Sequence, residues 1–195
     1  MLAAVILSGG QSSRMGSPKA LVKYRGKSFL EHLLAVTQHP RISARRIVLG
    51  ADAVPITDAL ALPADELVIN SDWERGQLSS IHAALRSLPP TTDGILLCLV
   101  DHPLISAKLV SQLIEAFYDR KKSIVLPVCQ GRRGHPVIFS AALYGDLLAA
   151  PLDQGARAVV WAHRDDLVEW PTDDQGCLRN INDPATLAEL ADILD

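Results

Sequence analysis

The sequence has only three cysteines, Cys98, Cys129 and Cys177, an odd number set far apart, which suggests neither a disulfide framework nor the paired spacing of a zinc site. Cys98 lies inside an apolar run and reads as core; no role attaches to the other two. Long apolar runs are also missing. The first strand starts almost at Met1 with no basic segment ahead of it, and no run is long enough for a secretion signal or a membrane span. The expectation is a cytoplasmic protein with no membrane partner. An excess of basic charge is likewise absent: 19 basic residues against 22 acidic ones leave a net charge of −3, which argues against a general nucleic-acid binder and makes any phosphate affinity local. No repeat, low-complexity tract or rich linker divides the 195 residues. With 48% hydrophobic residues they can bury a substantial core, and residues 1–195 read as one domain.

What is present is concentrated near the start. Leu2 to Leu7 has the length and branched residues of a buried parallel strand, and Gly9-Gly10 lets the chain turn sharply where it ends. The loop Ser8-Gly9-Gly10-Gln11-Ser12-Ser13-Arg14-Met15-Gly16-Ser17-Pro18-Lys19 offers peptide N–H groups, four serine hydroxyls, a guanidinium and an ammonium, with no acid among them. That is the chemistry of a polyphosphate site: N–H donors cradle the anion, Arg14 forks onto it and Lys19 adds a point charge. The loop is not a P-loop, since no Gly-Lys-Ser/Thr closes it, and it lacks the dinucleotide Gly-x-Gly-x-x-Gly spacing.

Downstream, strands and helices alternate. Ser28 with Glu31 forms a capping box ahead of a helix carrying Leu30, Leu33, Leu34 and Val36. Arg46 to Leu49 and Leu67 to Ile69 read as strands around a helix at Val54 to Leu62, and Gly76 to Leu88 as the next helix. Gly94 to Val100, nearly all apolar, reads as a central strand covered on both faces. Ser106 caps a helix with Leu109, Leu113, Ile114 and Phe117, and Ile124 to Val128 is another strand. The turn Gln130 to Gly134 before Pro136 to Phe139 predicts an antiparallel excursion. Helices at Ala141 to Ala149 and Gly155 to His163, a strand at Leu167 to Trp170 and a last helix from Pro184, capped by Asp183, complete an α/β chain with a mostly parallel sheet. Trp161 and Trp170 read as packing in the core or at an interface, and Trp73 as a residue able to stack on a base.

In an open parallel sheet ligands gather beyond the carboxyl ends of the strands, where both the glycine loop and Asp101 fall. A carboxylate there can hold Mg²⁺ against phosphates, or it can cap the Ser106 helix or close the Pro103 turn; the residues alone leave both roles open. His102 would point to the opposite face of a continued strand and is left outside the candidate site.

Leu7, Gly10, Ser12, Arg14, Met15, Gly16 and Lys19 together resemble the nucleoside-triphosphate signature of the MobA-like NTP transferase family, which includes the molybdenum cofactor guanylyl- and cytidylyltransferases. The resemblance runs from Leu7 to the final helix and implies a three-layer α/β/α, Rossmann-like nucleotidyltransferase fold. It implies that Leu7, Ser8, Gly9, Gly10, Ser12, Arg14 and Lys19 bind the nucleotide, with Arg14, Lys19 and Asp101 catalytic. It further implies that Asp101 in Leu99-Val100-Asp101-His102-Pro103-Leu104, and Asn182 in Asn180-Ile181-Asn182-Asp183-Pro184, hold Mg²⁺. Asp183 stands where the family usually has threonine. Asn70, Gly76, Ser79 and Ser80 match a stretch that meets base and ribose, and Arg133 and His135 in Arg133-Gly134-His135-Pro136-Val137 an element facing the second substrate. The implied reaction moves a nucleoside monophosphate from CTP or GTP to the phosphate of molybdopterin. The implied partners are those two small molecules and a molybdoenzyme or its maturation factors. Ser79-Ser80, Gly134-His135-Pro136 and Gly155-Ala156-Arg157 look like the cytidylyl branch, whereas Ser8-Gly9-Gly10 and Asn180-Ile181-Asn182 look like the guanylyl branch; the balance favours CTP. The rival expectations are a nucleotide-binding or cofactor-carrying maturation factor without catalysis, and a transferase for another phosphorylated small molecule.

Overall fold

The computed structural model describes residues 1–12 and 15–192. In chain order the elements are β1 (Leu2–Ser8), a small hairpin of β2 (Lys23–Tyr24) and β3 (Lys27–Ser28), α1 (Phe29–Val36), β4 (Ile42–Leu49), α2 (Ala53–Ala59), β5 (Leu67–Ile69) and α3 (Gln77–Ser87). They continue with β6 (Gly94–Leu99), α4 (Ala107–Arg120), β7 (Ile124–Cys129), β8 (Arg132–Arg133), β9 (Val137–Ser140), α5 (Tyr144–Ala149), α6 (Arg157–Ala162), β10 (Leu167–Pro171) and α7 (Pro184–Asp192).

The main sheet runs β10-β7-β9-β6-β1-β4-β5, with β8 paired to β7. β6, β1, β4 and β5 pair in parallel, as do β7 and β10; β9 enters antiparallel between β7 and β6. The antiparallel excursion expected at Gln130 to Gly134 is therefore real, and its second arm crosses to the central strand. Gly94 permits that pairing, because a Cβ there would sit 2.5 Å from the Phe139 carbonyl oxygen.

Two-residue periodicity sorts the strand side chains onto two faces. Leu2 and Ile6 of β1 join Leu96 and Cys98 of β6 and the α1 and α4 residues Leu30, Leu33, Leu109 and Leu113 in one core. Ala3, Val5 and Leu7 join Ile95, Leu97 and Leu99 with Leu78 and Ile81 of α3, Leu147 of α5 and Val159 and Val160 of α6 in the other. Helices thus cover both faces of a mostly parallel mixed sheet, the α/β/α arrangement expected from the sequence. All of β1 and β6 is buried, as near-continuous apolar strands require.

The helix starts follow their local chemistry. The Glu31 N–H donates to Ser28 Oγ at 3.2 Å while Glu31 Oε2 accepts from the Ser28 N–H at 2.7 Å, the reciprocal capping box. Ser106 Oγ accepts from the Leu109 N–H at 3.1 Å, and Asp183 accepts from the Thr186 N–H at 2.8 Å. Of the two tryptophans expected in the core or at an interface, only Trp170 takes the core alternative. Trp161 is 59% exposed and does not belong to the core, whereas Trp170 packs against it; the Arg157 guanidinium lies 5.3 Å from the centre of the Trp161 ring. Among the described residues no helix is long and apolar enough to cross a membrane.

Candidate active site

At the carboxyl lip of the sheet, the ends of β1 and β6 and the start of α3 enclose a cleft of about 220 Å³. Leu7, Ser8, Gly9, Gly10, Gln11, Ser12 and Lys19 line it from the first loop, Leu99, Val100 and Asp101 from the end of β6, and Trp73, Gly76, Gln77 and Ser80 from the entry to α3. Parallel pairing explains the meeting. β1 and β6 are neighbours in register, Leu7 opposite Leu99, so the chain leaves both strands at one level. The Val100 N–H extends that contact by donating to the Leu7 carbonyl at 3.1 Å.

The loop is shaped by close approach. A Cβ on Gly9 would lie 2.7 Å from Ser80 Oγ, and one on Gly50, after β4, 2.2 Å from the Gly9 carbonyl oxygen. Farther along, Ser12 Oγ accepts from the Lys19 N–H at 2.9 Å, which folds the loop back on itself. Gly76 has φ of +94°, a region glycine reaches without cost, and so turns the chain into α3 with the amino end of the helix at the cleft. Arg14, expected on the same anion, lies outside the described residues. Among the described residues neither the Lys19 ammonium nor the Asp101 carboxylate forms an ion pair.

Not every residue expected at the nucleotide lines this cleft. Asn70 is 5% exposed, and its amide is occupied by the protein: Nδ2 donates to Ser79 Oγ at 2.8 Å and Ser80 Oγ at 3.0 Å, and Oδ1 accepts from the Asp72 N–H at 3.0 Å. Ser79 Oγ in turn lies 2.9 Å from the Asp72 carbonyl oxygen and 2.8 Å from that of Gly76. Asn70 and Ser79 line a separate surface hollow; they brace the turn that presents Gly76 and Ser80 to the cleft. Gln77 and Trp73 do line it, and Gln77 carried no recognisable sequence signal beyond its place at a helix start.

Asn182 reaches the lip from the other end of the chain. The N–H of fully buried Ile181 donates to the Asp101 carbonyl at 2.7 Å, and Asn182 Oδ1 accepts from Lys19 Nζ at 2.5 Å.

A second cavity of about 880 Å³ adjoins the first, sharing Gly76 and Gln77. Leu78, Leu97, Leu126, Val137 and Phe139 give it an apolar wall, and Arg75, Arg133, His135, Arg157 and Trp161 also line it. The Arg133 guanidinium is already held by Glu169 at 2.6 Å. The His135 ring packs against His102, centroids 4.9 Å apart and planes tilted by 53°, and the Nδ1 of each ring is buried with no hydrogen-bond partner among the described residues. Burial, with the neighbouring His102 charge, pushes the His135 imidazole down to about 4. His102 is lowered too: burial outweighs the Asp101 charge and the Cys177 carbonyl, which act the other way. His102, excluded on strand alternation, is thus the buried support of His135. The chain turns immediately after β6, so the alternation that would have sent His102 away does not continue past Leu99.

A glycine loop after the first strand and a carboxylate after a neighbouring parallel strand, meeting in one cleft, define an α/β domain of the NTP-handling type. Residues 4–167 match the model of the MobA-like NTP transferase domain, and the chain belongs to that family. It is 32% identical over 146 residues, 71% of each protein, to the nicotine blue oxidoreductase of Paenarthrobacter nicotinovorans. It is 31% identical over 163 residues, 81% of this chain and 72% of the relative, to a molybdenum cofactor guanylyltransferase of Rhizobium leguminosarum bv. trifolii. Among solved structures, Rv0371c from Mycobacterium tuberculosis H37Rv superposes with a TM-score of 0.86 at 26% identity over 98% of both chains. The same protein was also solved in complex with manganese, which matches with a TM-score of 0.75 at 26% identity over 88% of each chain.

Proposed function

We propose that the protein transfers the nucleoside monophosphate of CTP, or of GTP, to the phosphate of a molybdopterin-type acceptor and releases pyrophosphate. The observation that carries this reading is the meeting of the first loop, Lys19 and Asp101 in one cleft that opens beside a larger cavity. The name of the guanylyltransferase relative supports the molybdenum cofactor as acceptor and, for the nucleotide, GTP. The Ser79-Ser80 and Gly134-His135-Pro136 runs favour CTP.

An oxygen of the acceptor phosphate attacks the α-phosphorus of the triphosphate, the bond from that phosphorus to the bridging β-phosphate oxygen breaks, and a phosphoanhydride forms as pyrophosphate departs. Loop N–H groups and the Lys19 ammonium hold the triphosphate and take up charge as it moves onto the leaving group. Arg14 is assigned to the same anion by its place in the motif. His135, neutral at physiological pH, serves as a hydrogen-bonding wall of the acceptor cavity, and the nearby cationic groups are Arg75, Arg133 and Arg157.

The donor set fits a divalent cation of the magnesium type. Asp101 offers one carboxylate at the cleft wall, and among the described residues it forms no ion pair and no cluster of three or more His, Cys, Asp or Glu forms a closed cage. Magnesium is commonly bound through one or two carboxylates together with substrate phosphates and water, and the manganese complex of the mycobacterial relative supports a divalent ion in this fold. When bound, the ion supplies charge neutralisation on the phosphates.

The test is pyrophosphate release from each of the four NTPs with molybdopterin and Mg²⁺. Release is expected with CTP or GTP, and Asp101→Ala should lower it by roughly a hundredfold or more. Tight nucleotide binding with no release from any pairing would replace this reading with that of a non-catalytic carrier. Release with a different phosphorylated acceptor would keep the chemistry and change the substrate.

A further inference from the structure

Asn182 and Lys19 stand 163 positions apart in sequence, and their side chains meet at 2.5 Å, Nζ donating to Oδ1. Both are held from the backbone. The Ile181 N–H fixes the Asn180 to Pro184 turn to the Asp101 carbonyl at 2.7 Å, and Asp183 Oδ1 accepts from the Thr186 N–H at 2.8 Å and from its Oγ1 at 2.9 Å, so the turn is tied down on either side of Asn182. On the other side the Lys19 N–H donates to Ser12 Oγ, and the Val22 N–H closes a tight turn on the Lys19 carbonyl at 3.1 Å. The long lysine stem, which would otherwise sample many rotamers, is steered by one acceptor at the mouth of the anion loop.

We propose that Asn182 is a positioning residue for Lys19, holding its ammonium in place for the triphosphate, and that it is not a ligand of the metal ion. The inference rests on the nucleotidyltransferase reading of the cleft. Three features carry it. An amide oxygen engaged by an ammonium is a poor partner for Mg²⁺ as well, because the two cations would sit side by side on one neutral atom. The amide also orients the ammonium without neutralising it, so the full charge remains for phosphate; a carboxylate in its place would form an ion pair that the triphosphate has to displace. Finally, Asp101 and Lys19 line the cleft whereas Asn182 does not line it and meets it through the Lys19 ammonium, the arrangement of a support and not of a wall.

The experiment measures equilibrium binding of CTP and GTP without metal, in the presence of a chelator, and then as a function of Mg²⁺. The proteins are the wild type, Asn182→Ala, Asn182→Asp, Lys19→Ala and the double variant Lys19→Ala/Asn182→Ala. Asn182→Ala should weaken metal-free binding roughly threefold to tenfold, and should change it by less than about twofold once Lys19 is already alanine, because the two residues act as a unit. Asn182→Asp, which keeps the size and shape and so reports even if the alanine variant folds poorly, should weaken metal-free binding by about fivefold or more. Neither substitution should shift the Mg²⁺ concentration at which nucleotide affinity is half-enhanced. Unchanged metal-free affinity with a displaced magnesium dependence would overturn the proposal in favour of metal ligation. So would additive losses in the double variant. A wild-type protein that binds neither nucleotide, with or without Mg²⁺, would overturn the reading of the cleft itself and is distinguishable from both.

Discussion

A Cβ on Gly50 would lie 2.2 Å from the Gly9 carbonyl oxygen and 2.7 Å from the Trp73 Cβ, contacts that backbone cannot yield cheaply. Gly50→Ala should therefore push the anion loop out of place, costing about 1–3 kcal/mol in denaturant unfolding and weakening nucleotide binding by roughly tenfold. Unchanged affinity would show that the loop does not depend on this approach. His135 makes a different demand. Its imidazole, held down to about 4 from an ordinary 6.5, is neutral in the native protein, while the unfolded chain binds a proton below pH 6.5. The contribution is fully present above pH 6.5 and is lost as pH falls toward 4, an effect on the order of 3 kcal/mol. Urea unfolding from pH 7 to pH 4 should show this decline in the wild type and a flatter curve in His135→Gln. Residues like Ser12 and Lys19 were legible because they belong to a dense local pattern. Gly50 and His102 were not, since what they touch, Gly9 and Trp73 in one case and His135 in the other, lies in loops and turns distant in sequence.

The elements were read well where the cause of each is local. Ser28 and Glu31 satisfy one another's backbone groups within a single turn, so the start of α1 is written in four consecutive residues. Ser28→Ala should cost about 1 kcal/mol, seen as a lowered unfolding midpoint, and should leave nucleotide affinity unchanged because α1 packs away from the cleft. Boundaries moved where tertiary pairing extends a strand: β4 begins at Ile42 and not at Arg46, because the parallel register with β1 reaches back to Leu2. The polar stretch Asp173 to Gly176, read as a turn, opens a short helix at Gln175–Leu178 in which the Cys177 carbonyl accepts the His135 N–H at 2.9 Å. That contact joins the C-terminal segment to the second cavity, and no local pattern signals it.

At the scale of the whole molecule, strands β1 and β6, the start of α3 and the C-terminal turn meet at one lip, so a ligand there ties together segments from both ends of the chain. Nucleotide with Mg²⁺ should accordingly raise the stability of the intact fold by about 2.7 kcal/mol at a hundredfold excess over Kd, visible as a rise of roughly 5 to 10 °C in Tm for a domain of this size. Lys19→Ala should show a smaller rise at the same ligand concentration. An identical shift in the variant would remove Lys19 from the candidate site.

The sequence by itself determined the alternation of apolar strands and amphipathic helices, the capped helix starts, and the family to which the first loop belongs, because each of these depends on residues within a few positions of one another. Only the tertiary structure decided that Asp101 and the first loop share a cleft, that Asn70 and Ser79 brace that cleft without lining it, that His102 supports His135, and that Asn182 meets Lys19. These are relations between strands, fixed by sheet order and register, and one residue of slip or one exchanged neighbour would redraw them while leaving every local pattern intact.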